Sequence, residues 1–180
     1  MDPIAIDHQA VPGAAMTALL LHPHPDMGGD RFNHVVDTIY RALPGAGVGV
    51  ARFDFGSSDP ERARADTLAA IALLDAPRVV LVGYSFGADV ALGLDDSRVA
   101  AWFAIAPPLR MTGVDALADD PRPKSLLVAE RDQWSPPDRV REQTAGWTNT
   151  EVTVFDGADH FLNGHAAAVA EAVTSSIGSA

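Results

Sequence analysis

Short apolar runs recur along the chain, each closed by turn residues and followed by a stretch in which apolar positions return at helical spacing. The runs at 15–22 (AMTALLLH), 48–55 (VGVARFDF), 78–84 (RVVLVGY), 99–106 (VAAWFAIA), 124–130 (KSLLVAE) and 151–155 (EVTVF) predict strands. Most are apolar nearly throughout instead of alternating, as strands buried on both faces of a parallel sheet are. The segments 32–43, 60–74, 86–94, 136–146 and 163–177 predict helices between and after them. Pro60 and Pro136 suit a first helical turn, where the missing N–H costs nothing. Leu68, Ile71, Ala72 and Leu74 predict the apolar face of the second helix. Strand and helix alternate to the end, which points to an α/β doubly wound sheet. Residues 4–9 add a further strand, antiparallel and at the edge. No repeat or linker interrupts this order, and the longest loop-like connection is 110–123, so residues 1–180 are expected to form a single domain.

Composition narrows the chemistry. The 180 residues carry 13 Lys and Arg against 24 Asp and Glu, a net charge of −11, with no segregated basic run. So acidic a chain is repelled by phosphate backbones and anionic lipid surfaces, which argues against nucleic-acid or membrane partners. The absence of cysteine removes disulfides, thiolate nucleophiles and Cys-ligated metals together. Covalent catalysis must then use oxygen or nitrogen. The first residues, Met1-Asp2-Pro3-Ile4, lack a basic region followed by a long apolar one. The longest apolar stretch, 99–109, reaches about half of the ~20 residues a membrane helix needs. A cytoplasmic location is expected.

The sharpest local signal is Gly83-Tyr84-Ser85-Phe86-Gly87, a G-x-S-x-G placed directly after one predicted strand and directly before a predicted helix. In a nucleophile elbow the serine occupies a tight, strained turn, and small residues on either side prevent collisions. The hydroxyl stands clear of the sheet, and the following helix aims its N–H groups at a developing oxyanion. A serine hydroxyl needs a base, and the base needs an orienting acid. Asp132 follows the strand 124–130 and His160 follows the strand 151–155, each just beyond a carboxyl end and in the order Ser, Asp, His. Asp132 also suits a turn or helix-capping role before Pro136, with Glu130 as a reserve acid. Asp156 and Asp159 suit loop capping, and His165 falls inside the last predicted helix.

The loop His22-Pro23-His24-Pro25-Asp26-Met27-Gly28-Gly29 admits two chemical readings. In one it supplies an oxyanion donor beside the elbow. Pro23 and Pro25 have no N–H, which leaves the backbone of His24 or Met27, with Phe86 supplying the other donor. In the other, His22, His24 and Asp26 form an H-x-H-x-D string that resembles the metal-binding motif of the metallo-β-lactamase superfamily, with zinc as the metal. Met27 stands where that motif requires another His, and the chain lacks that fold's strand-rich halves.

Taken in order, LLLHPHPDMGG, ARFDFGSSD, GYSFGA, LLVAERDQWSPP and GADHFLNG resemble the α/β-hydrolase superfamily, and within it the small lidless serine esterases similar to dienelactone hydrolase. These motifs run from Leu19 to Gly164, about four-fifths of the chain. The resemblance implies a minimal, mostly parallel sheet of about six or seven strands flanked by helices, without a cap domain. It implies Ser85, Asp132 and His160 as a catalytic triad, His24 and Phe86 as oxyanion donors, no cofactor and a small-molecule ester as substrate. Dienelactone hydrolase itself uses a cysteine, so Ser85 departs from it. The segment 52–58 matches a family loop without acquiring a chemical role. Phe86, Leu109, Met111, Trp134 and Phe161 are expected to wall an apolar acyl pocket. A monomer or homodimer is expected, and a non-catalytic binding module on the same fold is the alternative outside enzymology.

Overall fold

The computed structural model describes residues 4–178. Residues 1–3, on which part of the targeting expectation rests, lie outside them. The apolar runs form β2 (Thr17–Leu21), β3 (Gly49–Phe53), β4 (Val79–Tyr84), β5 (Val99–Ile105), β6 (Lys124–Ala129) and β7 (Thr150–Phe155), with β1 (Ile6–Gln9) as the edge strand. The sheet order is β1-β3-β2-β4-β5-β6-β7, with β1 antiparallel to β3 and every other pair parallel. Each expected strand is within two residues of its observed ends.

Helices α1 (His34–Ala42), α2 (Pro60–Leu73), α3 (Phe86–Leu92), α4 (Pro137–Thr144) and α5 (Ala166–Ile177) cover the two faces. Successive residues of the central strands point to opposite sides, so the sheet builds two cores. Ala18, Leu20, Val80 and Val82 pack with Val35 and Ile39 of α1 and Val169 and Val173 of α5. Leu19, Leu21, Val79 and Leu81 pack with Ala70 and Ile71 of α2, Val90 of α3 and Val140 of α4. Burial on both sides is why these strands read as continuous apolar runs.

Three local expectations are corrected. In α2 the buried residues are Ala63, Asp66, Thr67, Ala70 and Ile71, whereas Leu68 and Ala72 face solvent. Apolar residues ring this helix, so their spacing does not single out one face. The last helix starts at Ala166 and not at 163, because Leu162 (φ 55°) and Gly164 (φ 77°) adopt left-handed conformations that no helix propagates through. Pro136 is extended and caps α4, and Pro137 takes the first turn.

The chain leaves β2 for β3 on one side, then returns past β2 to lay down β4 through β7 on the other. The order therefore reverses between β2 and β4. In open α/β sheets the crevice beyond the carboxyl ends at such a switch is where ligands bind. Here those two ends carry the HPHP loop and the G-x-S-x-G turn.

Candidate active site

Ser85 joins β4 to α3 with φ 53° and ψ −113°, a conformation that costs a non-glycine residue roughly 1–3 kcal/mol. The surroundings enforce it. A Cβ on Gly83 would lie 2.1 Å from the Gly87 carbonyl oxygen, and one on Gly87 would lie 2.3 Å from that of Leu21. Only glycines let the first turn of α3 lie this close to the ends of β4 and β2. The Ser85 N–H donates to the Ile105 carbonyl at 2.9 Å, which ties the turn to β5.

The Ser85 hydroxyl lies 3.0 Å from His160 Nε2, and His160 Nδ1 lies 2.7 Å from Asp132 Oδ2. Asp132 and His160 are buried. Burial would raise the Asp132 pKa, but hydrogen bonds from His160 and from the Ser135 and Trp134 N–H groups outweigh it and hold the carboxyl below its ordinary value. An ionised Asp132 requires His160 to carry its proton on Nδ1, which leaves the Nε2 lone pair facing the serine hydroxyl. Such a pairing raises the nucleophilicity of an otherwise weak hydroxyl. His160 is held at two further points: Tyr84 Oη donates to its backbone carbonyl at 2.8 Å, and the Trp134 ring stands edge-on to its imidazole at 4.3 Å.

The competing acids are engaged elsewhere. Glu130 Oε2 accepts the Gly157 N–H at 2.6 Å, and Asp159 Oδ1 accepts that of Phe161 at 3.0 Å, while Asp156 is exposed. His165 caps α5, its Nδ1 3.0 Å from the Asn163 carbonyl.

On the opposite side of Ser85, Pro25–Met27 form a single 3₁₀ turn. The Met27 N–H donates to the His24 carbonyl at 3.1 Å, as does that of Gly29 at 3.0 Å. The N–H groups of His24 and Phe86 have no protein partner among the described residues. His22 turns inward: its Nε2 accepts the Phe55 N–H at 2.9 Å and its Nδ1 donates to the Pro23 carbonyl at 2.6 Å. Burial lowers its pKa and keeps it neutral. With both ring nitrogens committed, and Asp26 accepting from Ser58 Oγ at 2.6 Å, the zinc reading of His22, His24 and Asp26 fails on geometry. Among the described residues no group of three or more His, Asp or Glu side chains converges as a metal site.

These residues open onto a cleft of about 620 Å³, walled by His24, Phe86, Met111, Trp134 and Phe161 around Ser85 and His160. Leu109 is not among the walls. It is 5% exposed, and with φ 52° it turns its side chain into the core while Pro108 and Met111 face the cleft. Sequence reasoning missed Asp89 of α3. This carboxylate, 1% exposed, accepts the backbone N–H groups of Leu109, Arg110 and Met111 at 2.8, 2.9 and 3.2 Å. It ties the cleft wall to the helix that follows Ser85. Its one sequence signal was a carboxylate among apolar neighbours in GADVAL.

The chain matches no protein-family model. It is 29% identical to an uncharacterized protein of Rickettsia prowazekii, with 82% of this chain and 72% of that one covered. Among solved structures, an α/β serine hydrolase homologue from Coxiella burnetii superposes with a TM-score of 0.83 at 25% identity, covering 96% of this chain and 91% of that one. A lidless α/β serine hydrolase from Xanthomonas campestris gives 0.82 at 24% identity over 97% and 87%. Est1E from Butyrivibrio proteoclasticus gives 0.82 at 16% identity over 98% and 95%.

Proposed function

We propose that this chain, a small α/β hydrolase without a lid, is a serine esterase that cleaves carboxylic esters of short or medium acyl chain through a covalent acyl-enzyme. One observation carries the reading: the unbroken path from Ser85 Oγ to His160 Nε2 at 3.0 Å and from His160 Nδ1 to Asp132 Oδ2 at 2.7 Å, built on a strained turn at a topological switch. The likeness to serine hydrolases and esterases supports a hydrolase. The open, largely apolar cleft supports a small ester as the substrate.

In this mechanism Ser85 Oγ attacks the ester carbonyl carbon as His160 Nε2 takes the hydroxyl proton. Asp132 keeps the imidazole in the required tautomer and stabilises the imidazolium without taking its proton. The carbonyl oxygen becomes an oxyanion and accepts hydrogen bonds from backbone N–H groups. Phe86 supplies one, at the positive end of α3. His24 supplies the other, since the Met27 N–H is already spent within the 3₁₀ turn. Collapse of the intermediate passes the His160 proton to the leaving alcohol. Water then repeats the sequence on the acyl-enzyme and releases the acid. Each oxyanion donor is worth roughly 3–4 kcal/mol to the barrier in such a site.

The test is reaction with a fluorophosphonate, peptide mapping of the label and turnover of p-nitrophenyl acetate and butyrate. Label on Ser85, with both label and turnover lost in Ser85→Ala, is expected. Ester hydrolysis that survives Ser85→Ala overturns the reading.

A further inference from the structure

The segment ARFDFGSSD takes no part in the acyl-transfer steps, yet it grips the loop carrying His24 at its start, middle and end. At the start, the Phe55 N–H donates to His22 Nε2. In the middle, Ser58 Oγ donates to Asp26 Oδ2 at 2.6 Å. At the end, Asp54 accepts the Arg31 backbone N–H on Oδ1 at 2.8 Å and the Arg31 guanidinium on Oδ2. The loop has few means of holding itself. Two of its residues are prolines, and its internal backbone bonds close one turn around Pro25–Met27 and a second from Asp30 to Asn33. The His24 N–H stands at the hinge between the buried His22 anchor and that turn.

Arg31 is held from the sheet as well. Arg31 Nε also reaches Asp7 Oδ2 on β1 at 3.1 Å, and the same oxygen accepts from Arg52 Nε at 3.3 Å. Arg52 is buried on β3, pairs with Asp37 of α1 at 2.8 Å and lies 3.9 Å from the centre of the Tyr40 ring. Arg31 is thus tied to β1 and, through Asp7 and Arg52, to β3 and α1, and Asp54, which directly follows β3, holds the same residue by its backbone N–H and its guanidinium.

We infer that Asp54 and Ser58 are positioning residues for the oxyanion site: they hold the loop through Arg31 and Asp26 so that the His24 N–H stays aimed beside Ser85. This rests on the acyl-transfer reading given above. Both contacts are half-exposed or exposed, with the Asp54 side chain 42% accessible, so they contribute little to stability. Their effect is on aim, where a displacement of about 1 Å costs catalysis heavily.

The test uses an alkyl trifluoromethyl ketone, which adds to an active serine and places an oxyanion where the transition state has one, alongside the product alcohol as a neutral ligand without an oxyanion. In folded Asp54→Asn, kcat is expected to fall about tenfold, short of the ~100-fold or more for outright loss of a donor, and ketone affinity to fall in step. KM and product affinity stay within about twofold. Ser58→Ala, which loses one surface hydrogen bond, shows the same split to a smaller degree and stands in if Asp54→Asn does not fold. Unchanged kcat and ketone affinity in a folded variant overturn the inference, as does a parallel loss of product affinity. Failure of the unsubstituted protein to form the ketone adduct sinks the acyl-transfer reading instead.

Discussion

Asp132 divides its carboxylate: Oδ2 faces His160 Nδ1 at 2.7 Å, while Oδ1 accepts the N–H groups of Trp134 and Ser135 at 2.9 and 3.0 Å. The turn-forming role and the proposed acid role, which the sequence offers as alternatives, therefore fall to one side chain. The backbone bonds aim the second oxygen, and through Trp134 they also set the ring that packs edge-on against His160.

Asp132→Asn separates the two roles. The amide oxygen can keep the Trp134 and Ser135 bonds, but its NH₂ then faces His160 Nδ1 and favours the wrong tautomer. We expect kcat for a p-nitrophenyl ester to fall by roughly 10³–10⁴ with thermal stability little changed. Asp132→Ala, which also strands two N–H groups, is expected to add about 1–3 kcal/mol of destabilisation in chemical denaturation.

Tyr84 supports the other side of His160. Its hydroxyl donates to the His160 carbonyl at 2.8 Å, and burial raises the phenol pKa well above its ordinary value, so the donor persists at all working pH. Tyr84→Phe leaves that carbonyl without its partner at a cost of about 1–3 kcal/mol. Because His160 keeps both ring contacts, kcat is expected to fall far less than in Asp132→Asn. Urea denaturation with parallel kinetics checks both statements.

Much of this was legible because burial on both faces makes the strands continuous apolar runs, and because the elbow's glycines are demanded by contacts of about 2 Å. Ser85, Asp132 and His160 could be located because each lies within a few residues of a strand end. Less legible was whatever depends on one backbone angle or a distant partner. The choice between His24 and Met27 turns on which N–H the Pro25–Met27 turn consumes, and Pro-Asp-Met-Gly was the available turn signal. Leu109 leaves the cleft through a positive φ that apolar character does not announce. Asp89 acts on backbone groups some twenty residues away, which no local pattern encodes.

Asp89→Ala removes one acceptor from three N–H groups of the cleft wall. A loss of roughly 2–4 kcal/mol of stability is expected, since a buried charge-assisted cluster is broken. The wall at 108–112 loosens rather than the triad, so KM for a butyrate ester should rise more than kcat falls. Steady-state kinetics on acetate and butyrate, run well below the variant's melting point, reads the difference. Equal losses in kcat for both esters with unchanged KM would contradict this placement.

His22 gives stability a pH dependence with a defined sign. Its pKa is lowered in the fold because burial disfavours the imidazolium, and protonation would also turn Nε2 from an acceptor of the Phe55 N–H into a donor facing it. The unfolded chain therefore binds the proton more readily than the native state, and stability rises with pH across that interval. The His22 contribution is complete above the ordinary value of 6.5 and is lost as pH falls through the lowered native value. Asp132, whose pKa is lowered from 3.8, loses its contribution only in more acidic solution. Asp89, whose pKa burial raises, acts in the opposite direction, favouring the fold as pH falls. Urea midpoints from pH 8 down should therefore begin to decline just below about 6.5, before the Asp132 decline sets in. In His22→Gln that early decline should disappear while the acidic one remains. Should it persist unchanged in the variant, another group carries it.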